Sequence, residues 1–171
     1  MAESIAFSKA ADRATLFAEI TPQIESLIGN ETDLTANLAN IAAALKEALG
    51  YFWVGFYIVK GEQLVLGPFQ GTVACTRIGL DKGVCGHACK TRQTVIVPNV
   101  NEFPGHIACN SASRSEIVVP IFRADGSVFG VLDVDSDRLD DFSEVDREGL
   151  ESVARIVERS IQSHTNSEMI E

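Results

Sequence analysis

Positive charge is scarce in this chain. Its 171 residues hold 14 Lys+Arg against 24 Asp+Glu, a formal net charge of −10, and no basic cluster could neutralise a run of phosphates. Binding to nucleic acid or to an anionic membrane surface therefore lacks its main electrostatic term. Also missing is any apolar run approaching the roughly 18 residues of a membrane span. Met1 to Arg13, with Glu3 early, lacks the basic-then-apolar order of a secretion signal. These absences predict a cytoplasmic protein. No repeat, low-complexity tract or composition break licenses a second domain, so residues 1–171 are read as one domain with its core at about 34–161. With 46% apolar and 22% charged residues the chain is unlike a disordered one, and at this length it buries about 70% of its unfolded surface.

From Asp33, apolar residues at Leu34, Leu38, Ile41, Ala42, Leu45 and Leu49 recur at helical spacing, with Asp33 as N-cap and Gly50 as stop. A weaker helical pattern covers about Ala14 to Ile28, with Pro22 expected near a bend or a start. The texture changes at Tyr51. Phe52 to Val59 is aromatic and β-branched, Lys60-Gly61-Glu62 turns, and Gln63 to Leu66 returns as a hairpin. Further strands are expected at Cys75–Ile78, Thr94–Val97, Ile117–Phe122 and Ser127–Val134, the last two joined by a tight turn through Asp125-Gly126. Val84 to Lys90 reads as a short helix, and Pro98 to Ser115 as a long loop, a type that is more often functional than idle. Ser143-Glu144-Val145-Asp146 resembles a capping box opening a last helix, whose buried face is Leu150, Val153, Ile156, Val157 and Ile161. The tail after Ser163 is expected to fray, with His164 in solvent. The fold class is α+β: a mostly antiparallel sheet of about six strands, N- and C-terminal helices on one face, and the short helix and long loop enclosing a pocket on the other.

Four thiols, Cys75, Cys85, Cys89 and Cys109, suit a reduced compartment and chemistry better than a disulfide framework. No Cys-x-x-Cys or His-x-x-x-His pair occurs, and Cys85-x-His87-x-Cys89 on a short helix would spread its ligands around the axis, so no metal site is expected. Cys89 reads as a buried structural thiol. Cys109 lies in the loop Gly105-His106-Ile107-Ala108-Cys109-Asn110-Ser111, where backbone N–H groups and His106 could lower a thiol pKa. Cys75 and Cys85 stand 34 and 24 residues upstream, far enough for either to reach Cys109 in the fold. Glu116 directly precedes an apolar strand. Asp133 and Asp135 alternate with Leu132 and Val134, which places both aspartates on one strand face. Neighbouring carboxylates raise one another's pKa and so keep a proton to donate; a strand simply emerging into solvent is the plainer alternative. Trp53, the single tryptophan, and Tyr57 share a strand face and form either a ligand wall or core. His87 reads as structural or as part of that wall.

Gly67-Pro68-Phe69-Gln70-Gly71, Gly83-Val84-Cys85-Gly86, Gly105-His106-Ile107-Ala108-Cys109, Ser113-Arg114-Ser115-Glu116-Ile117-Val118-Val119-Pro120 and Gly130-Val131-Leu132-Asp133-Val134-Asp135-Ser136 together resemble the free methionine-(R)-sulfoxide reductases, which are single GAF-type domains. The similarity spans about Leu34 to Ile161. It implies that Cys109 attacks the sulfoxide sulfur, that Cys75 is the disulfide partner, and that Cys85 has a resolving or pocket role. It further implies that Glu116, Asp133 and Asp135 bind substrate, Asp133 or Asp135 also serving as proton donor, and that Trp53 and Tyr57 line the pocket. No bound cofactor is implied; reducing equivalents come from thioredoxin and ultimately NADPH. The substrate is free L-methionine-(R)-sulfoxide. A homodimer is neither required nor forbidden by the acidic surface. The alternative is a GAF small-molecule or redox sensor without turnover; the chain's end soon after the last helix, with no output domain, favours the enzyme.

Overall fold

The computed structural model of the chain describes residues 4–107 and 109–168, with side chains through residue 162. Helix α1 (Arg13–Ile28) starts where the Asp12 carboxylate accepts the Thr15 N–H, and α2 (Leu34–Leu49) where Asp33 accepts the Ala36 N–H, each satisfying a donor the helix itself cannot. Gly50 closes α2 in the left-handed conformation at φ 66°, where a residue without Cβ carries no steric penalty. There follow β1 (Trp53–Lys60), β2 (Gln63–Gln70), β3 (Arg77–Gly79), α3 (Gly83–Thr91), β4 (Val95–Val97), a 3-10 turn at Val100–Glu102, β5 (Ser115–Phe122), β6 (Val128–Ser136) and α4 (Glu144–Glu168). The strands form one sheet in the order β3-β2-β1-β6-β5-β4, every neighbouring pair antiparallel.

The two faces of the sheet carry different chemistry. Val54 and Phe56 of β1, Ile117, Val119 and Ile121 of β5, and Leu132 and Val134 of β6 pack with α1, α2 and α4 into the larger core. The alternate residues Trp53, Tyr57, Val118 and Val131 point the other way and pack with Val84, Cys85, Ala88 and Cys89 of α3. This is the period-two consequence of the β pleat. The expected layer arrangement of helices on one face, and a short helix and loop on the other, is the observed one.

Several boundaries differ for physical reasons. Pro22 lies inside α1 rather than at its start; both Pro22 and Ala18, the residue whose carbonyl loses its helical donor, are exposed, so that carbonyl is open to solvent and the helix continues. Strand β3 begins at Arg77 rather than Cys75, because the Cys75 carbonyl accepts the Tyr57 hydroxyl at 2.9 Å instead of joining a ladder. Strand β6 continues to Ser136, which keeps Asp135 in the sheet. The capping box forms: Asp146 accepts the Ser143 N–H at 2.9 Å and the Ser143 hydroxyl accepts the Val145 N–H. Asp146 is fully buried, and it also pairs with Arg13 at 3.1 Å and accepts the Tyr51 hydroxyl at 3.2 Å, tying α1 and the start of β1 to α4. The tail expected to fray after Ser163 instead continues α4 to Glu168, the chain simply extending the helical hydrogen-bond ladder; the expectation for His164 in solvent lies outside the described side chains.

Helix α1 crosses α4 at Gly149, where a Cβ would stand 2.4 Å from the Phe17 ring. Helix propensity alone favours Ala over Gly by about 1 kcal/mol, whereas overpacking a core costs about 1–3 kcal/mol. Gly149→Ala should therefore lower the midpoint of urea unfolding, and Phe17→Leu in the same chain should shrink or reverse the loss. A Gly149→Ala protein more stable than wild type would show that this helix crossing is looser than described.

Candidate active site

The register of the central strands builds the site in rows. Glu116 of β5 pairs with Asp135 of β6, which pairs with Trp53 of β1; one step along, Val118 pairs with Asp133 and Asp133 with Gly55; beyond them Val131 pairs with Tyr57. Directly paired residues share a face, so three carboxylates and two aromatic rings converge on the side covered by α3. Gly55 is required there. A Cβ at this position would stand 2.7 Å from the edge of the Trp53 ring and 2.3 Å from the Phe69 Cβ, so the bare backbone lets the indole lie flat between Phe69 and the pocket. Trp53 stacks on Phe69 at 5.3 Å and on Tyr57 at 6.1 Å.

The polar ends of the same aromatics hold the irregular segment that carries Cys75. Trp53 Nε1–H donates to the Thr72 carbonyl at 3.0 Å, and the Tyr57 hydroxyl donates to the Cys75 carbonyl. Asn110 from the opposite loop donates to the Thr72 hydroxyl at 2.6 Å. Between the two segments Cys75 and Cys109 form a disulfide, with Cα atoms 5.2 Å apart. The disulfide sits at the rim of a pocket with about 560 Å³ of empty space, part of it open to solvent, whose lining includes Cys109, Cys85, His106, Ser113, Glu116, Asp133, Asp135, Trp53 and Tyr57. Every residue to which the resemblance gives a role lines this pocket except Cys75, which lies in the rim segment bonded to Cys109.

Cys85 and Cys89 are free and buried. Burial, and then Asp133, Glu116 and Asp135, push the Cys85 thiol well above its ordinary pKa, so it stays protonated and is a poor nucleophile. Burial alone pushes Cys89 up to about 11. It lies in the core between α3 and the sheet, as expected of a structural thiol. His87 is exposed and meets Phe103 edge-on, outside the pocket wall.

Among the described residues no Lys or Arg lines the pocket, and this decides the charge state of the acids. Glu116 and Asp133 are each 6% exposed. Burial first, then the neighbouring carboxylates, hold both well above the usual carboxylate range, and the two lie within hydrogen-bonding reach of each other. Asp133 is also within reach of the Cys85 thiol. Asp135 is half-buried; burial pushes it up to about 6 against the Ser113 hydroxyl, which donates to it. His106 Nδ1 stands 4.0 Å from Glu116 Oε2. Burial lowers the pKa of the imidazole, so this is a neutral ring beside a protonated acid and not an ion pair.

Phe69 and Ser113 were not singled out from the sequence. Phe69 reaches the site only because the β1–β2 register places it opposite Gly55, and a bulge just beyond that pair hides this from any spacing rule. Ser113 sits in a loop whose conformation the sequence does not specify.

A GAF domain family model matches residues 33–161. The free methionine-R-sulfoxide reductase of Neisseria meningitidis, solved in complex with its substrate, is 52% identical and superposes with a TM-score of 0.93 over 96% of this chain and 98% of that one. The free methionine-R-sulfoxide reductase of Saccharomyces cerevisiae is 38% identical, covering 93% of each chain. GAF domain-containing protein A of Dictyostelium discoideum is 50% identical over 92% of this chain and 99% of its own. The chain belongs to the GAF domain family and, within it, to the free methionine-R-sulfoxide reductases.

A carboxyl group held above its unfolded pKa makes folding less favourable as pH rises from about 4 through its folded value and leaves the full penalty above it. Relative to wild type, Asp135→Asn in metal-free buffer should therefore gain thermal stability between pH 4 and pH 7, the Ser113 hydroxyl still having an amide oxygen to donate to. Tryptophan fluorescence melts at a series of pH values measure this. A difference in Tm that does not change with pH would mean that Asp135 is not proton-loaded in the fold.

Proposed function

We propose that the protein reduces free L-methionine-(R)-sulfoxide to L-methionine with Cys109 as nucleophile. The observation that carries this reading is the Cys75–Cys109 disulfide at the rim of a pocket floored by Glu116, Asp133 and Asp135. An amino-acid ammonium supplies the cation that these acids lack, and its arrival favours their ionised forms. The stacked Trp53 and Tyr57 give the sulfoxide methyl group an apolar wall.

In the reduced protein the Cys109 thiolate attacks the electrophilic sulfur, and Asp133 or Asp135 gives a proton to the sulfoxide oxygen. The protonated oxygen passes to the Cys109 sulfur as the new S–S bond and the substrate S–O bond break, so methionine leaves and Cys109 becomes a sulfenic acid. The Cys75 thiol condenses with it, forming the disulfide and releasing water. Thioredoxin then attacks the disulfide and restores both thiols, its own dithiol being oxidised. The balance is one sulfoxide and one dithiol consumed, and one methionine, one disulfide and one water formed. Reducing equivalents reach thioredoxin from NADPH in the cytoplasm, and the cycle uses no bound cofactor. Cys75 as the resolving thiol is supported by its bond to Cys109; Cys85, protonated beside Asp133, fits a pocket role instead.

The reduced protein, supplied with thioredoxin, its reductase and NADPH, should oxidise NADPH with free L-methionine-(R)-sulfoxide and not with the (S) epimer; absence of turnover with either would overturn the reading. Cys109→Ser should lose activity by several orders of magnitude. Cys75→Ser without reductant should release about one methionine per chain and then stop. Methionine yields from Cys109→Ser equal to wild type in a single turnover would move the nucleophile elsewhere.

A further inference from the structure

We propose that Cys85, Glu116 and Asp133 form a binding site for a thiophilic divalent cation of the zinc class, at the floor of the pocket and outside the reaction cycle. A thiol sulfur and one oxygen from each carboxylate all lie within 4.8 Å of one another, and all three residues are buried. Tetrahedral zinc with bonds of about 2.0–2.3 Å places its ligand atoms about 3.3–3.8 Å apart, which modest side-chain rotations reach from here. The three ligands come from α3, β5 and β6, so the fold assembles them before any ion arrives.

Two further observations point to a cation. Asp133 Oδ1 is buried without a hydrogen-bond partner, although an unpaired buried oxygen is costly. His106 Nδ1 is likewise buried without a hydrogen-bond partner and stands 4.0 Å from Glu116 Oε2, a second unsatisfied polar atom at the edge of the three-ligand cluster. No Lys or Arg among the described lining residues competes for the carboxylates. The thiolate sets the preference: zinc, cobalt and cadmium accept sulfur, whereas magnesium and calcium do not. Sequence spacing pointed away from zinc because it tested Cys85 with Cys89 and His87. The site takes only Cys85 from that group and finds its other ligands on the sheet.

An ion here occupies the carboxylates that bind the substrate ammonium. This competition for the carboxylates rests on the proposed reductase function; the ion site does not. The site would make free zinc an inhibitor that competes with substrate.

Cobalt(II) alone, added to the metal-free oxidised protein, tests the site without turnover. The Cys75–Cys109 disulfide leaves Cys85 and Cys89 as the free thiols, so a thiolate-to-cobalt charge-transfer band in the near ultraviolet identifies its ligand. The band should appear in wild type and in Cys89→Ser, vanish in Cys85→Ser, bleach on adding zinc, and need at least ~10-fold more cobalt in Asp133→Asn, which keeps the thiol and the shape of the site. No band in wild type, a band that survives Cys85→Ser, or one lost in Cys89→Ser overturns the proposal. Free methionine should raise the cobalt concentration at half-saturation; an unchanged value would overturn the competition while leaving the ion site standing.

Discussion

Three carboxyl groups face one pocket with no Lys or Arg among its described lining residues. Most of the site follows from that imbalance. Buried acids without a counter-cation stay protonated or wait for a cation from outside, and these do the first until a guest provides the second. Burial and the neighbouring carboxylates hold Glu116 and Asp133 well above the usual carboxylate range, burial lifts Asp135 to about 6, and the Cys85 thiol beside them keeps its proton while no cation is bound. The same electrostatics that support the proposed ammonium recognition also silence the thiol on the pocket floor. The nucleophile proposed above is instead a sulfur at the rim, that of Cys109, joined there to Cys75.

The fold bears the cost of this arrangement on its opposite face. Val54, Phe56, Ile117, Leu132 and Val134 alternate with the site residues along the same strands and are completely buried against the helices. Burying a large aliphatic or aromatic side chain contributes roughly 1.5–3 kcal/mol, and these contacts fix the register on which the rows of acids and rings depend. A slip of one residue would send Asp133 and Asp135 into the helical core. Stability and function are thus set by alternate residues of β1, β5 and β6.

The sheet and its two faces were legible in the sequence because Leu132-Asp133-Val134-Asp135 alternates so plainly, and the α2 and α4 patterns kept helical spacing. The site was legible through its thiols and acids. What escaped was whatever depends on contact between distant segments. Pro22 looked like a bend or a start, yet it lies on an exposed face inside α1 and the helix runs through it. Cys75 looked like a strand residue, yet Tyr57 claims its carbonyl. Phe69 and the clearance at Gly55 are set by strand pairing, and which of Cys75 and Cys85 joins Cys109 is set by where α3 places the latter. Spacing along the chain carries none of these facts.

The central claim is that the pocket selects a small zwitterion through its ammonium group. Calorimetric titration of the oxidised protein with free methionine and with N-acetylmethionine tests it most directly, since acetylation removes the positive charge and leaves the thioether intact. Free methionine should bind and the acetylated form should not. Equal affinity for both would contradict the claim, because the three carboxyl groups would then have no part in recognition.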